Sequence, residues 1–366
     1  GKTFTELDSE VSEAIDFLEY YSRSALAIAQ EGEVKPKGVG AVIAPWNFPI
    51  AIPIGGIAGS LVSGNRVLLK PSPEGAFTAD MFVKEFYKAG VPISALQCLP
   101  CSDEKSAFLA SQQDLDFIIF TGGTSTARAI QANNPRVPLY AETGGKNATI
   151  VSEMADREQA IKHLIRSAFS SAGQKCSATS LVILVGAVYD DPQFQKQLKD
   201  AVESVIIGSS WDFSTEMGPL INAPNGPLAT AISQLEEGER WLVQPRQPDA
   251  SNPNLLTPGV KYGVQQGNHD HCNELFGPVL SVMRARDLEE AIEIANATGY
   301  GLTSGLESLD EREQELWRAR IIAGNLYINK PTTGAIVGRQ PFGGMRNSAV
   351  GVGIKAGGPN YVKQFM

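Results

Sequence analysis

Two successive α/β units, each built on a parallel sheet, are what this sequence predicts, and three observations predict them. Short apolar runs that stop at proline or glycine alternate with segments of helical periodicity. The alternation breaks off near residue 143 and restarts at Ala148. The chain of 366 residues has room for two cores at roughly 100–200 residues per domain.

The elements follow in order. From about Ser9 to Gln30, Glu10, Glu13 and Asp16 alternate with Val11, Ile15, Phe17 and Leu18 at helical spacing. Gly38–Ala44 is a buried-strand run ending at Pro45, and Ile50–Ser63 reads as a helix of apolar and small residues. Asn65–Lys70 is a strand stopped by Pro71 and Pro73, Ala76–Ala89 a helix ended by Gly90, and Leu96–Leu99 a strand. Phe117–Phe120 is a strand that runs straight into T-G-G-T, with a helix starting at Ser125. In the second unit, Ala148–Val151, Ser180–Leu184, Val279–Arg284, Ser304–Leu306 and Asn325–Ile328 read as strands. Asp156–Ser171, Asp191–Ser204, Asp287–Ala297 and Glu311–Ile322 read as helices. Gln244–Asn268, rich in Pro, Gln, Asn and Gly, reads as loop, and the Gly-rich stretch Gly343–Pro359 as extended chain laid over other elements.

Composition narrows the function. A net charge of −9 argues against a nucleic-acid surface, which needs clustered Lys and Arg. No run of 18 apolar residues occurs, so no membrane span is expected. No signal or transit segment is evident, and a cytoplasmic setting is expected. Gly1 leads almost directly into helix, as in a piece of a longer protein. Four cysteines make no disulfide framework in a chain this long. The pair Cys98 and Cys101 has no second pair to complete a zinc site. The group His269, Asp270, His271 and Cys272 reads as a loop between strands, so no metal is expected.

Six constellations carry chemistry. In S-A-G-Q-K-C-S-A, Cys176 stands among Gly173, Ser177 and Ala178, small neighbours that let a substrate carbon reach a sulfur. An inert buried cysteine would look the same in isolation. In T-G-G-T, Gly122 and Gly123 join a buried strand to a helix N-terminus, an arrangement open to phosphate or to an ordinary tight turn. Lys70, at a strand's carboxyl end in L-L-K-P-S-P, is placed for the ligand crevice of an open sheet or for solvent. Glu142, followed by T-G-G-K after an apolar run, suits a carboxyl of raised pKa and thus a general base. Asn47, held in P-W-N-F-P, can donate to an oxyanion or make a turn. Glu274 and Phe276, two apart in N-E-L-F-G-P, can grip a ribose and face a flat ring.

In order and identity, P-W-N-F-P, K-P, F-T-G, E-x-G-G-K, G-Q-x-C, E-x-F-G-P and P-F-G-G together resemble the aldehyde dehydrogenase superfamily over nearly the whole chain. The stretch G-N-L-Y-I-N-K-P-T-T-G-A-I-V-G-R-Q-P-F-G-G, the tail K-A-G-G-P-N-Y and R-V-P-L-Y-A-E-T-G-G-K-N-A narrow it. They resemble Δ1-pyrroline-5-carboxylate dehydrogenases, including the dehydrogenase module of bifunctional proline-utilisation proteins. The resemblance implies a Rossmann-like NAD-binding domain at residues 1–143, lacking its amino-terminal part, a catalytic domain at 144–345, and a tail at 346–366 for packing and oligomer contacts. It implies NAD-dependent oxidation of L-glutamate γ-semialdehyde to glutamate, with Cys176 as nucleophile, Asn47 as oxyanion donor and Glu142 as base. Lys70, Ser72, Gly122, Gly123, Glu274, Phe276 and Trp46 are then cofactor residues. Ser177, Gly334 and Ala335 take the substrate carboxylate, with Phe48 and Phe342 on its aliphatic chain. A homo-oligomer, fused to or working with a proline dehydrogenase, is also implied.

Two departures bear on nucleotide binding: Gly123 stands where the family often has Ser, and Ala127 where it often has Gly. Other readings are a dehydrogenase for another small aldehyde such as succinate semialdehyde, a silent fragment serving as scaffold, and a cofactor-free thiol esterase. The first predicts a cationic side chain where this chain has T-T-G-A.

Overall fold

The computed structural model describes residues 1–366. The chain forms two compact units. One, here the Glu142 unit, comprises Leu7–Thr143, Ala335–Gly344 and Ser348–Met366. The other, the Cys176 unit, comprises Gly1–Glu6, Gly144–Gly334 and Met345–Asn347. Ala335–Gly344, placed in the second domain by the sequence, thus belongs with the earlier residues.

In the Glu142 unit, α1 (Phe4–Glu31) is followed by β1 (Val39–Ile43), α2 (Ala51–Val62), β2 (Arg66–Lys70), α3 (Ala76–Lys88) and β3 (Leu96–Cys98). Then come α4 (Asp103–Ala110), β4 (Phe117–Thr121), α5 (Thr124–Asn133) and β5 (Leu139–Glu142). The strands line up β5-β4-β1-β2-β3, all parallel, which is the five-strand order of a doubly wound nucleotide-binding sheet. Alternate side chains serve two cores: Val42, Leu69, Phe117 and Ile119 face α1, α2 and Phe365, while Ala41, Ile43, Ile118 and Phe120 face Ala127 and Ile130 of α5. A strand from the glycine-rich tail, Ala349–Gly351, adds antiparallel to β5 and completes that edge.

The sequence misjudged one face of α1. Its buried side runs Glu10, Ala14, Phe17 and Tyr21, whereas Val11 and Ile15 are exposed. Glu10 is buried because Oε1 accepts from Ile50 N at 2.7 Å and Ala51 N at 3.2 Å, amides that α2 leaves unpaired at its start.

In the Cys176 unit, β6 (Asn147–Val151), α6 (Arg157–Phe169), β7 (Thr179–Val185), α7 (Ala187–Asp190) and α8 (Pro192–Glu203) come first. There follow α9 (Gly226–Ser233), β8 (Arg240–Val243), β9 (Gly259–Tyr262), α10 (His269–Cys272) and β10 (Val279–Ala285). The last elements are α11 (Leu288–Asn296), β11 (Thr303–Glu307), α12 (Glu311–Arg320) and β12 (Asn325–Ile328); the tail strand named above is β13. The sheet order is β12-β11-β6-β7-β10-β9-β8, parallel except for β8.

The expected loop Gln244–Asn268 contains β9, fully buried. Its polar residue Lys261 is 1% exposed, 2.8 Å from Asp270 and 3.5 Å from Glu239, so ion pairing lets a lysine occupy a core strand. Asp270, with His269, His271 and Cys272, lies on the single turn α10 rather than in a plain loop. No three potential metal ligands converge, and no helix is long and apolar enough to cross a membrane.

Candidate active site

The carboxyl ends of adjacent strands collect the predicted residues of the Glu142 unit. Ile43 pairs with Lys70, and Thr121 with Glu142. Trp46, Asn47 and Phe48 follow β1, Lys70 ends β2, Gly122 and Gly123 follow β4, and Glu142 ends β5. In open α/β sheets ligands bind at this edge, where the strand order reverses, which here is between β1 and β4.

Asn47 is buried at the bend after β1. Lys70 is 5% exposed, with its ammonium 3.6 Å from Asp103 Oδ1. Ser72 accepts from Gly75 N at 3.1 Å. Gly123 caps α5 and makes no side-chain cap hydrogen bond, and the partial positive charge of the helix start faces this edge. A Cβ on Gly122 would lie 2.6 Å from the Phe120 ring, so glycine is required at that turn. These residues fit a dinucleotide: a doubly wound sheet, a helix start at the switch point and a buried cation one strand away.

Glu142 accepts from Gly344 N at 3.1 Å. Burial pushes its carboxyl up to about 8, opposed by that amide and by Lys355. Gly343 makes the close approach possible, since a Cβ there would lie 2.8 Å from Glu142 Oε1. Phe342 is paired with Ala356 through both backbone hydrogen bonds, at 2.8 and 2.9 Å.

Cys176 belongs to the Cys176 unit, on the loop between α6 and β7. The loop leaves α6 through a turn in which Ser171, Ala172 and Gly173 all have positive φ, at 52°, 52° and 68°. Left-handed backbone costs a non-glycine residue roughly 1–2 kcal/mol, so the surroundings must hold the first two. Gly173 is obligatory for space as well, because a Cβ would lie 2.3 Å from Gly277 O.

Beyond the turn every carbonyl from Cys176 to Ala178 is engaged. Asn147 Nδ2 donates to Cys176 O at 2.6 Å and to Ala178 O at 2.9 Å, while Thr303 and Thr332 hydroxyls donate to Ser177 O at 3.3 and 3.0 Å. Asn147 Oδ1 accepts from Thr303 N at 3.0 Å, which fixes the amide's orientation. A nucleophile carried on so restrained a loop needs little reorganisation on bonding.

Glu274 accepts from Gly145 N at 2.8 Å, and burial pushes it up to about 7 against that amide and Lys146. A Cβ on Gly144 would lie 2.0 Å from Glu274 Oε2, which explains the glycine pair after Glu142. Phe276 holds a left-handed φ of 51°. Lys146 is buried with no hydrogen-bond partner, and burial lowers its pKa to about 8 despite Asp270 and Glu274. Gly334 has φ of 92° and open space about its Cα, and Ser177 is buried.

Three residues of this loop's surroundings were not foreseen from the sequence: Asn147, Thr303 and Thr332. Asn147 and Thr303 carry a signal, polar residues at the start of otherwise apolar strands; Thr332, in the bend beyond β12, carries none.

The two sheets, the nucleotide-type edge and the restrained cysteine loop define a class, and the comparisons place the chain in it. The aldehyde dehydrogenase family matches residues 1–366, and the chain belongs to that family. It is 37% identical over 383 residues to 1-pyrroline-5-carboxylate dehydrogenase of Geobacillus sp. (strain WCH70), covering 99% of this chain and 74% of that protein. Proline Utilization A (PutA) from Corynebacterium freiburgense is 46% identical with a TM-score of 0.96, covering all of this chain and 38% of that one. A Thermus 1-pyrroline-5-carboxylate dehydrogenase with bound NAD is 34% identical with a TM-score of 0.93, covering all of this chain and 74% of that one.

Proposed function

We propose that this protein oxidises L-glutamate γ-semialdehyde, the open form of Δ1-pyrroline-5-carboxylate, to L-glutamate with NAD⁺ as acceptor. The observation that carries this reading is the restrained Cys176 loop, in a chain whose likeness to enzymes named for that substrate runs its whole length. The Cys176 sulfur attacks the aldehyde carbon. Asn47 Nδ2 and the Cys176 amide stabilise the oxygen as it gains charge. The bound dinucleotide supplies a hydride acceptor. Glu142, in its ionised form, takes a proton from the water that frees the acid from the sulfur.

Lys70 and Ser72 hold the adenosine end, Gly122 and Gly123 the pyrophosphate, Trp46 packs beside it, and Glu274 and Phe276 hold the nicotinamide ribose and ring. Ser177, Gly334 and Ala335 receive the substrate's carboxylate, chiefly through backbone N–H groups, which need no cationic side chain. Phe48 and Phe342 pack on its methylenes. The T-T-G-A sequence supports this over succinate semialdehyde, for which a cationic anchor is expected. The likeness to PutA supports a native chain that carries, or works beside, a proline dehydrogenase. A cytoplasmic homo-oligomer completes the proposal.

The test is NADH formation from glutamate semialdehyde, succinate semialdehyde and propanal, on the parent and on Gly334→Leu. The substitution should raise KM for glutamate semialdehyde about tenfold or more, because a charge-assisted hydrogen bond is worth roughly 1.5–3 kcal/mol. Propanal oxidation should change little. Equal effects on both would remove the carboxylate anchor and leave only an aldehyde dehydrogenase.

A further inference from the structure

We propose that Glu6 is a positioning residue for Cys176: its carboxylate clamps the left-handed turn from which the nucleophile's loop departs. The inference rests on Cys176 being the nucleophile, as above, and adds a residue 170 positions away in the chain.

The geometry is that of one carboxylate divided between two tasks. Thr3-Phe4-Thr5-Glu6 opens α1, and Glu6 Oε2 accepts from Thr3 N at 3.0 Å, half of a capping box. That bond fixes the side chain's direction. The second oxygen, Oε1, accepts from Ser171 N at 2.5 Å. A continued α6 would give that amide to the carbonyl four residues back; the turn at Ser171 takes it out of the helix, and Glu6 receives it.

Ser171 is the first of the three left-handed residues, and its own hydroxyl is buried with no hydrogen-bond partner, so the side chain does not brace the turn. The far side of the loop is held by Asn147, Thr303 and Thr332, and Gln174 by Ile221 N at 3.1 Å. Glu6 supplies a restraint on the near side. It also offsets the burial that lowers the pKa of Lys175, the residue before Cys176. Without the clamp the turn relaxes toward ordinary backbone and the sulfur is displaced; a shift of about 1 Å at a reacting atom can cost on the order of 100-fold.

The experiment reads Cys176 itself, with no substrate. Alkylation by iodoacetamide is followed by mass spectrometry of the Cys176 peptide across pH, beside kcat, KM and thermal midpoint. Glu6→Ala and Glu6→Asp, the latter a methylene short of Ser171 N, should each lower the limiting alkylation rate and kcat by about tenfold with KM for NAD⁺ unchanged. Glu6→Gln keeps an acceptor oxygen and should restore most of both. Thr3→Ala weakens the α1 cap without touching the turn and should alkylate at the parental rate.

Parental alkylation and turnover in Glu6→Asp would overturn the proposal, as would a Thr3→Ala loss equal to that of Glu6→Asp, which would make Glu6 only a helix cap. If Cys176→Ala retains aldehyde oxidation, the nucleophile assignment fails, and the alkylation data still report whether Glu6 places the thiol.

Discussion

Glu142 and Glu274 are two desolvated carboxyls built on the same plan and proposed for different tasks. Each accepts one backbone amide, and each is approached by a glycine whose Cβ would collide with it, Gly343 for Glu142 and Gly144 for Glu274. Burial raises both, Glu142 to about 8 and Glu274 to about 7. The amide is 3.1 Å away in the first and 2.8 Å in the second, and the nearby cation is the half-buried Lys355 in one and the fully buried Lys146 in the other. In both, the amide and the cation favour the ionised form against burial. What separates them is the proposed role: Glu142 takes a proton from water, and Glu274 accepts from a ribose hydroxyl.

The coarsest test removes the proposed nucleophile on which both roles depend. Cys176→Ala should lower aldehyde oxidation by more than about 1,000-fold while NAD⁺ binding by calorimetry stays parental, since nucleophile loss is among the largest single effects. Ser at Cys98, Cys101 or Cys272 should leave turnover within about twofold, as surface or structural substitutions usually do.

Glu142→Gln comes next. Steady-state turnover should fall about 100- to 1,000-fold, the range of general base catalysis, while a burst of NADH remains in stopped flow. Loss of the burst would place Glu142 earlier, in activating Cys176. In the parent, a carboxyl raised to about 8 is protonated below that pH. The hydrolytic rate should therefore climb with pH up to about 8 and flatten above it, and Glu142→Gln should abolish that limb.

Glu274→Gln should be milder. The dissociation constant for NAD⁺ should rise about tenfold, as for one charge-assisted hydrogen bond, with the ascending limb of hydrolysis unmoved. If the limb moved, the two carboxyls would not be separable.

The smallest effect is expected at Lys355. Lys355→Met removes a cation that holds Glu142 down, so the limb should shift upward by less than about one pH unit. A downward shift would reverse the sign of that interaction.

How much of this was readable beforehand varies along the chain. Strands such as Phe117–Thr121, buried on both faces, announce themselves as unbroken apolar runs. Gly259–Tyr262 did not, because Lys261 interrupts it and the acids that neutralise the lysine, Glu239 and Asp270, are distant in sequence. Leu139–Glu142 was noticed as apolar but not as a strand, being four residues long and entered through Pro138. The buried face of α1 was misjudged because Glu10 earns its place only through the start of α2. The site's motifs were legible as local runs; Asn147 and Thr332, which restrain the cysteine loop through folding alone, were not.

The antiparallel pairing of Ala349 with Glu142 has a consequence for the order of events in synthesis. The strand bearing Glu142 leaves the ribosome long before Gly344, β13 and Lys355, and the whole stretch Gly144–Gly334 is made in between. Until then β5 is an open edge and its terminal carboxyl faces water, an ordinary acid. The antiparallel strand, the Gly344 amide and Lys355 all come after the stretch that carries the cysteine, so the proposed base is completed last.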